Sequence, residues 1–239
     1  MMIIGVKSRF KGVLLTSSAL LALAGCHDGS NAEHPNTEEP VSVSYEVTVT
    51  NLTHAQPMSP VAVVIHSAGN LWQVGQPATV SLEKMAEGGD AAELFVDPMV
   101  LAHSSGVGLL QPGMSETLSV EVESGTGAKL SLVSMLVNTN DAFTGLDAYD
   151  ISSLSEGQSV TFYSSTFDAG TEKNSEMAGT IPGPADGGVG FDSVRDDVNF
   201  VAVHQGVLSA DDGLLESVLS GQHKFDNPTA KIQIARIQQ

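Results

Sequence analysis

Two short stretches of this 239-residue chain crowd oxygen-bearing side chains beside apolar runs. The first is Val137-Asn138-Thr139-Asn140-Asp141-Ala142-Phe143-Thr144-Gly145, which follows the apolar segment 129–137. The second is Phe167-Asp168-Ala169-Gly170-Thr171-Glu172, soon after 158–163. Each places acids in a loop at the end of an expected strand, and loops are where binding residues concentrate. A hard cation such as Ca²⁺ takes about 6–8 oxygens at ~2.3–2.6 Å from carboxylates, carbonyls and water. Asp141, Asp168 and Glu172 suit it, because without a cation three clustered carboxylates repel one another and one takes up a proton. Gly170 lets the backbone turn so that Asp168 and Glu172 can converge. Taken singly, Asp141 and Asp168 read better as turn caps and Glu172 as plain surface; only together do they favour a metal. Asp147 and Asp150 lie nearby but belong to no motif.

The remaining chemistry is thinner. His66, His103 and His204 sit in or beside apolar runs, but no G-x-S-x-G elbow accompanies them and their spacing is not the H-E-x-x-H of a zinc site. Trp72 reads as a core residue, since a lone tryptophan is usually buried for its large apolar area. Segment 183–197 (GPADGGVGFDSVRDD) carries Asp186, Asp192, Asp196 and Asp197, with its neighbour Glu176 counted as a fifth acid and Arg195 as the counter-charge. A second weak cation site is conceivable there, yet the D-x-D-x-D-G order of an EF-hand is missing, and a solvated surface loop is the preferred reading.

The elements that must position these residues are mostly strands. Val43, Tyr45, Val47 and Val49 alternate with Ser44, Glu46, Thr48 and Thr50, the period of a strand with one buried face. Segments 61–66, 117–123, 129–137, 158–163, 198–204 and 230–237 repeat the β-branched character, punctuated by Gly and Pro. Regularly spaced strands with turn signals indicate an all-β sandwich or barrel. Residues 78–102 are the exception. Leu82, Met85 and Ala86 fall at helical spacing, Gly88-Gly89 breaks the pattern, and Ala91 to Leu101 suits a second short helix.

The amino terminus carries an address. Lys7, Arg9 and Lys11 precede an uncharged run that ends at Gly25, the layout of a secretory signal. The apolar core is shorter than the ~20 residues of a spanning helix. It closes on Leu23-Ala24-Gly25-Cys26, which resembles the lipobox of bacterial lipoproteins. That resemblance implies cleavage before Cys26, a lipid on its thiol and attachment to a membrane, since several acyl chains hold a protein stably at a bilayer. His27 in place of an aspartate points to the outer rather than the inner membrane. Cys26 is the chain's one cysteine, so disulfides within the chain and thiolate metal sites are excluded. Loss of residues 1–25 removes three cations and no acids, moving the formal charge from −18 to −21 over 214 residues. Such a field repels nucleic acid and anionic headgroups and draws in cations. Residues 26–40 lack large apolar side chains and read as a lipidated flexible tether; residues 41–239 make one domain.

SMLVNTNDAFTG followed by DAGTE resembles the spondin N-terminal domain family, found in F-spondin, mindin and bacterial exported proteins. A looser likeness extends from about Val43 to Ile237. The resemblance implies a C2-like antiparallel β-sandwich with short inserted helices, and Ca²⁺ held by Asp141, Asp168 and Glu172. Animal members have aspartate where this chain has Glu172, and Ser-Pro-Asp-Trp where it has Thr139-Asn140-Asp141-Ala142. Their cysteines are missing here as well. The expected role is a membrane-anchored, calcium-binding recognition or adhesion module that meets an extracellular or envelope protein or glycan and lacks catalytic activity. The alternative is a metal-assisted hydrolase in which the same carboxylates hold the ion and His66 or His204 moves protons.

Overall fold

The computed structural model describes residues 41–237. The signal segment, Cys26 and the tether lie outside the described residues. Two antiparallel sheets face each other in an all-β sandwich, as the strand periodicity predicts. The four-stranded sheet runs β4 (Ser115–Glu123), β1 (Ser42–Asn51), β10 (Ala230–Arg236), β7 (Ser159–Ser164). The six-stranded sheet runs β3 (Val100–Ser105), β2 (Ala62–His66), β5 (Lys129–Met135), β6 (Ala142–Asp150), β8 (Thr166–Asp168), β9 (Ala202–Val203).

The two sheets bury their residues differently, and the sequence patterns follow. β1 alternates, with Val43, Tyr45, Val47 and Val49 inward against Val63, Ile65, Leu130 and Leu132 of the opposite sheet. β2 and β5 are buried almost throughout, because the outer face of the six-stranded sheet is also covered. There Ala62, Val133 and Phe143 pack with Trp72, Leu82 and Met85 in a second apolar cluster. A strand covered on both faces loses its period-2 alternation and reads as a continuous apolar run. A third, small cluster of Ile181, Val207 and Leu219 supports the long loops after β8.

The covering helix α1 (Val80–Gly88) begins where Thr79 accepts a hydrogen bond from Leu82 N (3.2 Å) and ends on Gly89 in the left-handed region (φ 68°). Both are ordinary stop and start devices. The second helix is shorter than expected. α2 spans only Ala92–Phe95, and residues 100–105 form β3 instead, since Val100 to Ser105 pair antiparallel with β2. In β3 alternate residues are half-buried and exposed, a pleat that the apolar look of 91–101 conceals. Of the strand expected over 198–204, only Ala202–Val203 pairs.

β6 lies where the sequence suggests a polar loop. Its pairing with β5 brings the backbones so close at Gly145 that an added Cβ would sit 1.9 Å from the Leu132 carbonyl oxygen. A larger residue would force the two strands apart. β6 then pairs with β8 in a register that sets Ala142 opposite Asp168. This register assembles the candidate site.

Candidate metal centre

Asp141 immediately precedes β6 and Asp168 ends β8, so the ladder itself makes them neighbours. Gly170, at φ +69°, then folds the chain back; a Cβ there would lie 2.2 Å from the Phe200 carbonyl oxygen, and only glycine fits. The turn directs Thr171 N (2.8 Å), Thr171 Oγ1 (3.2 Å) and Glu172 N (3.1 Å) onto Asp141 Oδ2. Asp141 is wholly buried, and its other oxygen, Oδ1, has no partner.

The other two carboxylates sit differently. Asp168 accepts from Gly170 N (2.7 Å) through Oδ1 and from Asn174 Nδ2 (2.6 Å) through Oδ2. Glu172 is half-buried. Its Oε1 accepts from Asn140 Nδ2 (3.0 Å), and its Oε2 is buried without a partner. Burial is the main cause that pushes the Asp141 carboxyl up to about 8, with the charge of Asp168 adding to it. Burial likewise lifts Glu172 to about 7, reinforced by Glu87, Asp196 and Asp192. Asp141 is thus electrostatically paired with Asp168, whereas Glu172 answers to acids of α1 and the 183–197 segment. A carboxylate that is desolvated, beside another acid and short of donors is costly to ionise.

The donors fit a hard cation in type and in charge. They are oxygens, two are buried and orphaned, and none of the three ion pairs found among the described residues involves them. They do not form a closed chelate. Among the described residues no three His, Cys, Asp or Glu side chains make a group that could hold a metal ion.

Two residues beyond the expected set complete the arrangement. Asn140 ties the region together, donating to Glu172 Oε1 and to Thr180 Oγ1 (2.9 Å) while accepting from Glu176 N (3.3 Å). Glu176 is the third acid with a buried, partnerless oxygen, Oε2; its Oε1 accepts from Leu208 N (3.2 Å). No motif marks Glu176, because the groups that hold it, Asn140 Oδ1, Leu208 N and Val218 N, come from distant parts of the chain.

The histidines are tied into the fold. His66 has Nδ1 on Ala68 O (2.8 Å) and Nε2 on Ser131 Oγ (2.8 Å), and Ser131 in turn donates to Asp147 (2.8 Å). Asp147 also accepts from Leu71 N, so this network fastens the 66–72 loop to β5 and β6. His103 stacks on Phe95 at 4.3 Å. His204 Nδ1 accepts from Gly206 N (2.9 Å), which leaves Nε2–H to donate to Asn174 Oδ1 (3.2 Å). Trp72 is a core residue, edge-on to Phe143 at 5.1 Å.

The acids of 183–197 behave as the solvated-loop reading expects. Arg195 grips Glu83 of α1 with two bonds (3.0 and 2.6 Å) and also donates to Ala78 O. Asp192 accepts from Val194 N, as turn-forming acids do, while Asp186 and Asp196 accept from the backbone of Gly179 and Lys173 in neighbouring loops.

No family model matches the chain, and no curated protein matches it either.

Proposed function

We propose that this chain is a calcium-binding recognition module of the bacterial cell envelope, anchored by lipid on Cys26. Asp141, Asp168 and Glu172, which do not converge as they stand, would close on the ion, with backbone carbonyls and water supplying its remaining oxygens. Bound there, calcium supplies the positive charge that the buried acids lack, and it stiffens the loops after β8 into a face for an envelope or extracellular protein or glycan. The observation that carries this reading is the partnerless Asp141 Oδ1, wholly buried next to Asp168 with no cationic side chain to compensate it. The likeness of SMLVNTNDAFTG and DAGTE to the spondin N-terminal domain supports it independently.

The hydrolase alternative needs a histidine free to move protons near the ion. Both ring nitrogens of His66 and of His204 are engaged by protein partners, which favours binding over catalysis. The outer membrane stays the proposed address.

Calcium titration of the fragment 41–239, followed by melting temperature, tests the reading. A ligand that binds only the folded state raises the melting temperature by mass action. The parent fragment gains stability with calcium and Asp168→Ala does not. Equal shifts in both, or none in the parent, would remove Asp168 from the site or calcium from the protein.

A further inference from the structure

A cavity of about 430 Å³ opens beside β9 and falls within the range of small-molecule sites. Its polar wall holds Asp168, Glu176 and Asp197, and its apolar wall holds Val198, Phe200 and Leu208. Among the described residues no lysine or arginine lines it. His204 also lines it but adds no positive charge, because the Gly206 N–H occupies Nδ1 and fixes the neutral tautomer.

Glu176 is the part that asks for a ligand. The residue is 2 % exposed, Leu208 N fixes one carboxylate oxygen, and Oε2 has no partner. An unsatisfied buried acceptor costs free energy that a donor entering the cavity would recover. A metal ion alone does not match this space. About half of the wall is hydrocarbon that an ion would leave uncovered.

We propose that this cavity binds a primary alkylammonium group, its alkyl chain along Phe200 and Leu208 and its charge against the Glu176 carboxylate, which turns to bring the covered Oε2 onto the N–H donors. The ammonium has three donors and one positive charge, and charge-assisted bonds to a carboxylate are the stronger kind. The methylenes of such a side chain cover apolar surface while the head stays with the acid. Asp197 adds attraction at the mouth, and the buried Asp168 adds its charge from behind the wall. The same chemistry belongs to a free diamine and to the lysine side chain of a partner protein. The cavity shares Asp168 with the calcium reading, but its anchors, Glu176 and Leu208, are not among the residues assigned to that ion.

Calorimetric titration of the unit from Pro40 to Gln239, which is compact and contains all three apolar clusters, tests this in EDTA and moderate salt, so that loss of the calcium site cannot mask the result. The probes are 1,5-diaminopentane, a doubly acetylated lysine methylamide lacking ammonium, and Nα-acetyl-lysine methylamide. Saturable binding of the diamine is expected, with none for the uncharged compound and at least a tenfold loss in Glu176→Gln. If Nα-acetyl-lysine methylamide binds as well as the diamine, a lysine side chain is the natural occupant; if only the diamine binds, it is a free amine. No saturable ammonium binding, or equal binding to parent and Glu176→Gln, overturns the proposal. Should Glu176→Gln fail to fold, Asp197→Asn at the half-exposed mouth decides: a several-fold loss upholds the site and an unchanged affinity overturns it.

Discussion

Two acidic regions of this molecule lie side by side and differ in how their charges are met. In segment 183–197 Asp192 and Asp196 are exposed and Asp186 and Asp197 half-buried, backbone N–H groups reach Asp186, Asp192 and Asp196, and Arg195 closes on Glu83. Around β6 and β8 the acids are buried, Asp141, Glu172 and Glu176 each keep an oxygen without a partner, and no cationic side chain is paired with them. Water screens the first set, and exposed charges contribute little either way. Desolvation makes the second set unfavourable to ionise, and an unmet buried oxygen is where a ligand gains most. Acid count alone therefore does not mark a binding site; burial without compensation does.

The largest expected effect comes from removing the carboxylate that organises the buried region. Asp141→Ala strips the acceptor from Thr171 N, Thr171 Oγ1 and Glu172 N. Buried donors left unmet cost ~1–3 kcal/mol each, and because the turn can relax we expect about 3 kcal/mol in all. Denaturant unfolding at pH 6 measures it, and a loss below about 1 kcal/mol would erase the contrast between the regions.

The next effect is a pH dependence of definite sign. The folded carboxyls of Asp141 and Glu172 titrate near 8 and 7, above their ordinary values of 3.8 and 4.5. A raised acid binds its proton more tightly when folded. The resulting stability is fully present below the unfolded values and is lost as pH rises through the folded ones. In chelator the melting temperature should fall between pH 5 and pH 9, and calcium should restore most of the loss at the upper end. A melting temperature flat across this window, with or without calcium, would mean the two acids are as well compensated as the surface loop.

The smallest effect belongs to the exposed region. Asp196→Asn keeps an oxygen for Lys173 N, the bond Asp196 makes at 2.9 Å, and should change stability by no more than about 0.5 kcal/mol. It should also leave the calcium response intact. A larger loss would show that this loop carries charge compensation of its own.

Strand periodicity made the four-stranded sheet legible, because β1, β4 and β10 each have one wet face and so alternate. β6 and β3 were not legible in the same way. β6 passes through small and polar residues that only a close backbone approach at Gly145 explains, and β3 hides among apolar residues at the end of a helical stretch. Asp141 and Asp168 could be picked out from local polar density and the Gly170 turn. Glu176 could not: the sequence groups it with the solvated acids of 183–197, and its partners Asn140 and Leu208 lie 36 and 32 residues away.

The sequence by itself determined the class of fold, the acidic character of the domain, the oxygen chemistry open to it and the amino-terminal lipobox pattern, because each depends on composition or on neighbours within a few residues. Tertiary structure alone decided which acids lose their water. The register of β6 on β8 puts Asp141 opposite the end of β8, and the loops that follow cover it and Glu176 while leaving the 183–197 acids outside. Desolvation is a property of what packs over a group, and residues distant in the chain do that packing.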